Sequence, residues 1–379
     1  MKLLMVSGDR SILEGKRGAF WYTLEEFSKH WERIDVLCPK PDHSQLRIAN
    51  SKLRISNQQS AIPFPNVHFH PSPLGLWYQP FWIARKGKKL AREHHHSVMT
   101  VHEYPPFFNG LGALRLHRAT KIPYALEIHH IVGWPSASSL RERIGYAMTR
   151  LFIARDARRA AAVRVVNAAV AGELARLGVP REKIHLVPSF YLDRGLLQAD
   201  PRVAKKFDVV VCGRLVGNKG VDSVLDAMTR LPTATLLVIG DGPERPTLEA
   251  QARSLGIDRR VTFVGWLPTQ EDVVRSLHSA RVFVMASTSE GGPRIALEAM
   301  AIGLPVVVTR VGIMPEVVTD TVNGFFTTGE PADIATKIDL LLHKEALRVH
   351  LGTEAQKILV RFERRKLIGE YAEFLQSLV

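Results

Sequence analysis

Val282-Phe-Val-Met-Ala-Ser-Thr-Ser-Glu-Gly-Gly-Pro-Arg-Ile-Ala-Leu-Glu-Ala-Met-Ala301 reads as a buried strand, a glycine loop and a helix in succession. The apolar run Val282–Met285 suits a strand buried on both faces, and Ile295–Ala301 is built of helix formers. Glu290 therefore falls in a loop at the carboxyl end of a strand, and Glu298 about one turn inside the next helix. In open α/β sheets that crevice is where ligands bind. A carboxylate there accepts hydrogen bonds from hydroxyls, and two can hold two hydroxyl-bearing rings of one ligand. Read in isolation, the pair is equally a surface glutamate and a helix-face glutamate; the rest of the chain decides between these readings.

Strand-like and helix-like runs alternate along all 379 residues, the sign of parallel α/β architecture. In the first half, strands are expected at 2–6, 34–38, 97–101, 124–128, 163–166 and 184–187, with helices at 19–31, 81–93, 140–159 and 168–177. The proline-containing stretch 41–73 carries little periodicity and reads as a long excursion. The second half repeats the rhythm, with strands at 208–212, 235–239, 261–264, 282–285 and 305–308. Helices are expected there at 220–231, 243–255, 269–278, 294–302 and 331–343, and a last amphipathic helix at 361–378. A chain of this length exceeds one core. The reading is a first domain at 1–190, a linker at 191–206 and a second domain at 207–360, with the terminal helix, about 361–379, free to pack back on the first. Two Rossmann-like domains facing across a cleft is the natural assembly.

Charge separates the halves. Residues 1–200 hold 29 Lys/Arg against 16 Asp/Glu, a net +13, and residues 201–379 hold 22 against 21, a net +1. An anionic partner for the first half follows: a membrane surface, a nucleic acid or a charged acceptor. Zinc-finger, RNA-recognition and basic-zipper signatures are absent, so nucleic acid is not expected. Trp77, Tyr78, Phe81 and Trp82 stand just ahead of the basic run Arg85–Arg92, the order of an interfacial segment, though the same residues also fit a core and a solvated helix face. No run of eighteen apolar residues occurs, and Met1–Gly8 reads as a first strand rather than a targeting segment. Cys38 and Cys212 form neither a disulfide framework nor a metal motif, which fits a reducing cytoplasm.

Three further strand-end loops join the one that carries the glutamates. Gly213-Arg-Leu-Val-Gly-Asn-Lys-Gly220 sets Arg214 and Lys219 on a glycine-rich turn that opens a helix. Backbone amides, a helix amino end and two cations suit a diphosphate, although a solvated basic turn looks the same in sequence. The pattern is neither a Walker loop nor G-x-G-x-x-G. Gly240-Asp-Gly-Pro243 gives glycines for close backbone approach, and Pro243 starts a helix. Gly265-Trp-Leu-Pro268 places Trp266 either against a flat base or in core or interdomain packing. Cations for a diphosphate, a base pocket and two carboxylates for hydroxyls together describe a nucleotide-sugar site.

Here the second half resembles the donor domain of the retaining GT-B glycosyltransferases of family 4. The resemblance rests on Gly213-Arg-Leu215 with Lys219-Gly220, Gly240-Asp-Gly-Pro243, Val261-Thr-Phe-Val-Gly265, Glu290 to Glu298 and Ala299-Met-Ala-Ile-Gly-Leu-Pro-Val306. Gly312-Ile-Met-Pro-Glu316 and Asn323-Gly324 extend it to about 120 residues in the family's order. It implies that Arg214 and Lys219 contact the diphosphate, Glu290 the donor-sugar hydroxyls and Glu298 the nucleotide ribose, with Gly240, Gly242, Trp266, Gly291 and Gly292 in the donor-binding loops. The first half resembles the acceptor domain less closely. The family's paired-glycine loop appears as Gly15-Lys-Arg-Gly18, its glycines split by two cations. Pro123-Tyr-Ala-Leu-Glu-Ile-His129 matches the strand that ends in the active-site histidine, which points to His129, with His130 a rival. The family's Pro-Asn-Gly before the linker is Pro188-Ser-Phe here, so no role is carried to that loop.

The function implied is a retaining, metal-independent hexosyltransferase that uses a nucleoside-diphosphate sugar as substrate and needs no cofactor. Its acceptor would be a glycan, glycolipid or other hydroxyl compound, and the enzyme would be cytoplasmic, peripheral on the inner face of the cell membrane. Two rivals remain. A GT-B sugar-nucleotide epimerase would act on donor alone, and a non-enzymatic basic adaptor would bind no nucleoside diphosphate.

Overall fold

Aliphatic runs buried on both faces build two separate, wholly parallel sheets, as such runs do when helices cover both sides. The computed structural model describes residues 1–14, 19–41, 64–137, 139–188, 191–198 and 203–379. Its contacts divide into two units: Met1–Val132 with Ile144–Ser189 and Arg365–Val379, and Gly133–Arg143 with Phe190–Arg364.

The first unit holds β1 (Lys2–Val6), β2 (Arg33–Cys38), β3 (Val67–Pro71), β4 (Val98–His102), β5 (Tyr124–Ile128), β6 (Ala162–Val165) and β7 (Ile184–Leu186). Their order in the sheet is β3-β2-β1-β4-β5-β6-β7, and every pairing is parallel. The order runs outward from β1 and then reverses, so a crevice opens at the carboxyl ends of β1 and β4. The helix Arg364–Gln376, although last in sequence, packs on this sheet: the Tyr371 ring stacks on Phe27 at 4.9 Å between centroids.

The second unit holds β8 (Phe207–Cys212), β9 (Leu236–Ile239), β10 (Val261–Gly265), β11 (Ala280–Met285), β12 (Val306–Thr309) and β13 (Phe325–Thr327), ordered β10-β9-β8-β11-β12-β13 and again all parallel. Its crevice lies at the carboxyl ends of β8 and β11. Val209, Val238, Val282 and Val284 are fully buried between the sheet and its helices. Leu192 and Phe362 pair main chain to main chain, with Leu192 N–H donating to Phe362 O at 2.8 Å and Arg364 N–H to Leu192 O at 3.2 Å.

Several elements depart from the sequence reading, among them the unforeseen helix Glu345–Gln356. The excursion expected at 41–73 contains β3, an edge strand whose alternating histidines and terminal proline hide its pattern; residues 42–63 lie outside the described residues. β13 is three residues long, too short for a periodicity to show. The helix Phe108–Thr120 carries internal glycines that obscure its period.

Candidate active site

The crevice of the second unit is lined by loops that glycines hold against one another. Gly220 adopts φ +63°, and a Cβ there would stand 2.3 Å from Ala286 O, so the loop after β8 lies directly on the loop after β11. Gly240 has φ +126°, with a Cβ meeting Gly213 O at 1.9 Å; one on Gly242 would meet Leu215 O at 2.2 Å. Only glycine fits such approaches. Main-chain bonds fix the arrangement: Leu215 N–H donates to Asp241 O at 2.9 Å, Gly240 N–H to Gly265 O at 2.8 Å, and Thr288 N–H to Asn218 O at 2.9 Å.

A cavity of about 200 Å³ opens between the first and last of these loops. Gly213, Arg214, Lys219, Ser287, Glu290, Gly292 and Arg294 line it. Lys219 Nζ donates to Glu290 Oε1 in a half-buried ion pair, and Ser287 Oγ donates to the same oxygen at 2.9 Å. Arg214 is exposed, and its guanidinium has no ion-pair partner among the described residues. Glu298 is buried beneath the loop, where its Oε1 accepts from Arg294 Nε at 2.8 Å and from Gln270 Nε2 at 2.5 Å. Burial pushes the Glu298 carboxyl up, and Arg294 opposes that shift. Burial also pushes the Cys212 thiol up to about 12, which leaves it unreactive. The cavity thus offers one unpaired cation, two cations each shared with a carboxylate, and backbone at a helix amino end.

In the first unit, His129 follows β5 with its side chain 34% exposed. The His102 ring, at the end of β4, stacks on it at 4.5 Å between centroids. Burial, then the neighbouring His129, pushes His102 down to about 3 and keeps it neutral. Two residues before His129, on the same strand face, Glu127 sits at the centre of a buried cluster. Its Oε1 accepts from Thr100 Oγ1 and Tyr371 O–H; its Oε2 accepts from Arg164 Nη1 at 2.6 Å and contacts His129 Nε2 at 3.2 Å. Arg164 also donates to Val187 O and Pro188 O, both at 3.0 Å, and lies 3.6 Å above the Tyr371 ring.

Residues 196–358 match the family model of glycosyl transferases group 1, and residues 24–189 that of a glycosyl transferase 4-like domain. The GDP-mannose-dependent alpha-(1-6)-phosphatidylinositol monomannoside mannosyltransferase of Mycolicibacterium smegmatis is 30% identical over 291 residues, 70% of this chain and 72% of that one. The chain belongs to the group 1 glycosyl transferases. A lipopolysaccharide core biosynthesis glycosyltransferase of Rhizobium meliloti is 34% identical over 171 residues, 45% of this chain and about half, 49%, of that protein. The crystal structure of Anabaena HepE in complex with UDP and glucose has the same fold, with TM-score 0.78 over 100% of both chains at 22% identity. This transferase therefore has the GT-B fold of two Rossmann-like domains, and its reaction is nucleotide-sugar-dependent glycosyl transfer.

The structure brings Gly213, Arg214, Lys219, Glu290 and Gly292 to one cavity, with Gly291 beside them against Gly312. Gly240 and Gly242 buttress it from β9. Trp266 is 70% exposed at the end of β10, which removes the core-packing reading, and it does not line the cavity. Gly15 and Gly18 lie outside the described residues. Sequence reasoning passed over Ser287, Gln270 and Arg294. Arg294 was readable, since it stands four residues before Glu298 on one helix face. Gln270 comes from another helix and carried no signal.

Proposed function

We propose that this transferase moves a hexose from a nucleoside-diphosphate sugar to a hydroxyl of an envelope glycan or glycolipid, with retention at the anomeric carbon. The second unit takes the donor, and the first takes the acceptor beside His129. The reading rests above all on Lys219 and Arg214 lining one cavity with Glu290. As the nucleoside diphosphate departs, negative charge grows on the β-phosphate, and these two cations stabilise it in place of a divalent ion. Glu290, already a hydrogen-bond acceptor for Ser287, orients the sugar hydroxyls. Glu298 serves the ribose; being 4% exposed, it does so after Gln270 or Arg294 swings aside. The cavity is smaller than the roughly 300–1,000 Å³ of a typical ligand site, so it suits the diphosphate and sugar while the base lies over the outer loops. No cofactor is required. The relatives in phosphatidylinositol mannoside and lipopolysaccharide core synthesis favour an envelope acceptor.

The test is a thermal-shift panel of UDP-, GDP- and ADP-sugars. A bound donor at a hundredfold excess over Kd stabilises by about 2.7 kcal/mol. No shift with any of them would defeat the donor assignment.

The basic first unit, by the same proposal, docks peripherally on an anionic membrane at the cytoplasmic face. Trp77 is 83% and Phe81 58% exposed, and Arg85, Lys88, Lys89 and Arg92 are exposed along the helix Gln79–His94. Trp82 instead turns inward and donates to His70 O at 3.3 Å. Among the described residues no helix is long and apolar enough to cross a membrane. Each cation near an anionic surface contributes about 1 kcal/mol, enough in number for reversible attachment. Flotation with anionic liposomes at low salt should recover the protein, and neutral liposomes should not; equal recovery on both would rule out the charge-based docking.

A further inference from the structure

The Glu127 cluster occupies the floor beneath the histidine read above as the acceptor-side active residue. We propose that Glu127 is a positioning residue: it accepts the Nε2–H of His129, fixes the ring, and leaves the Nδ1 lone pair to receive a hydrogen bond from a substrate hydroxyl. This inference rests on the His129 reading and deepens it.

Glu127 is 5% exposed, and its four hydrogen-bonding contacts come from the two neighbouring strands, the end of its own strand and the terminal helix. Burial is the largest single influence and opposes its ionisation, but the Arg164 guanidinium at 2.6 Å, together with the hydrogen bonds from His129 and Thr100, outweighs it and holds the carboxyl well below the usual range. An ionised carboxylate only accepts. The 3.2 Å contact with His129 Nε2 therefore requires the proton on that nitrogen. In the neutral ring Nδ1 is then a bare acceptor, and it has no hydrogen-bond partner among the described residues. Thr100 and Tyr371 hold the other carboxylate oxygen, so Glu127 cannot follow if His129 rotates. The titratable groups in contact with the imidazole are Glu127 and His102, of which His102 stays neutral. Tyr371 thereby links the terminal helix to the orientation of a side chain at the end of β5.

The experiment uses the full chain labelled with ¹⁵N-histidine, with His129 assigned by its loss in His129→Asn. The neutral His129 ring of the wild type should carry its proton on Nε2 and leave Nδ1 bare. In Glu127→Gln that tautomer preference should weaken, since a neutral amide oxygen is a poorer acceptor than a carboxylate. Turnover is read as nucleoside diphosphate release with whichever UDP-, GDP- or ADP-sugar gives the largest thermal shift. Glu127→Gln should lose about 10- to 100-fold in kcat, the scale seen when an orienting partner of a functional imidazole is removed. The KM for donor should stay unchanged, because the donor is held in the other unit. An Nδ1-protonated His129 in wild type overturns the proposal, even if Glu127→Gln fails to fold. So does a folded Glu127→Gln with full kcat. Full turnover in His129→Ala, with damage in His130→Ala instead, would overturn the underlying histidine reading while leaving the tautomer result standing.

Discussion

Glu290→Gln should have opposite effects on product affinity and on turnover. Lys219 Nζ contacts the Glu290 carboxylate, so a phosphate that also contacts Lys219 must sit close to a negative charge. Two hydrogen bonds of about 2.8 Å diverging at the tetrahedral angle from one nitrogen put phosphate and carboxylate oxygens about 4.6 Å apart. Coulomb repulsion per unit charge is then about 3.6 kcal/mol at an effective dielectric of 20, and about 0.9 kcal/mol in bulk water. The cavity is open to solvent, so about 1–2 kcal/mol is the reasonable share. Free UDP, GDP or ADP, whichever the enzyme accepts, should therefore bind Glu290→Gln about 5- to 30-fold tighter. Turnover should nevertheless fall, since the amide orients the sugar hydroxyls less well than the carboxylate. Titration calorimetry at low and high salt reads the affinity, and the gain should shrink as the Debye length falls. Lys219→Met provides the contrast, since it removes the cation and leaves Glu290 unpaired, and it should weaken binding. If Glu290→Gln weakens diphosphate binding as much as Lys219→Met does, the carboxylate acts by holding Lys219 in place and the repulsion argument is wrong.

Arg214→Ala and Lys219→Ala should each cost on the order of 100-fold in rate; full activity in the double variant would remove the diphosphate clamp. On the proposed reading two cations stabilise the leaving group, so turnover should persist in excess EDTA; loss restored by magnesium or manganese would reverse that assignment. Gly240→Ala forces a side chain at φ +126° with its Cβ 1.9 Å from Gly213 O, so it should destabilise by at least about 1–3 kcal/mol and cut diphosphate affinity, read by melting temperature and calorimetry. Burial raises the Asp156 carboxyl to about 6. A raised carboxylate favours the folded state below its unfolded pKa, and that stability is lost as pH rises towards 6. Asp156→Asn should thus melt higher than wild type at pH 8, by about 1–2 kcal/mol after allowing for solvent screening, and no higher at pH 4.

Much of the candidate site in the second unit was legible because its chemistry lies within a few residues of strand ends. Arg214 and Lys219 follow β8, and Glu290 follows β11, each in a loop whose glycines announce a close approach. That Lys219 meets Glu290, 71 residues away, needs one more step. In the reversing strand order of a doubly wound sheet, β8 and β11 are neighbours, so their loops share one crevice. Gln270 reaches Glu298 from a helix in a different β–α unit, and no local pattern encodes that contact.

The Glu127 cluster was hidden for a different reason, and part of it need not have been. Tyr371 lies 244 residues from Glu127, on a terminal helix whose amphipathic pattern is equally compatible with several docking sites. The charges themselves did leave a trace. Tyr124-Ala-Leu-Glu-Ile128 and Ala162-Val-Arg-Val165 each carry one charged residue in a strand that is otherwise aliphatic or aromatic. Strands buried on both faces of a parallel sheet leave no solvated face for such a residue. A buried charge survives only when paired. One acid and one base in consecutive buried strands therefore call for each other, and Glu127 and Arg164 do stand opposite in register. A local rule broken twice, with opposite signs, in adjacent strands is a specific signal. It places an ion pair beneath the loop that follows β5, and that loop begins with His129.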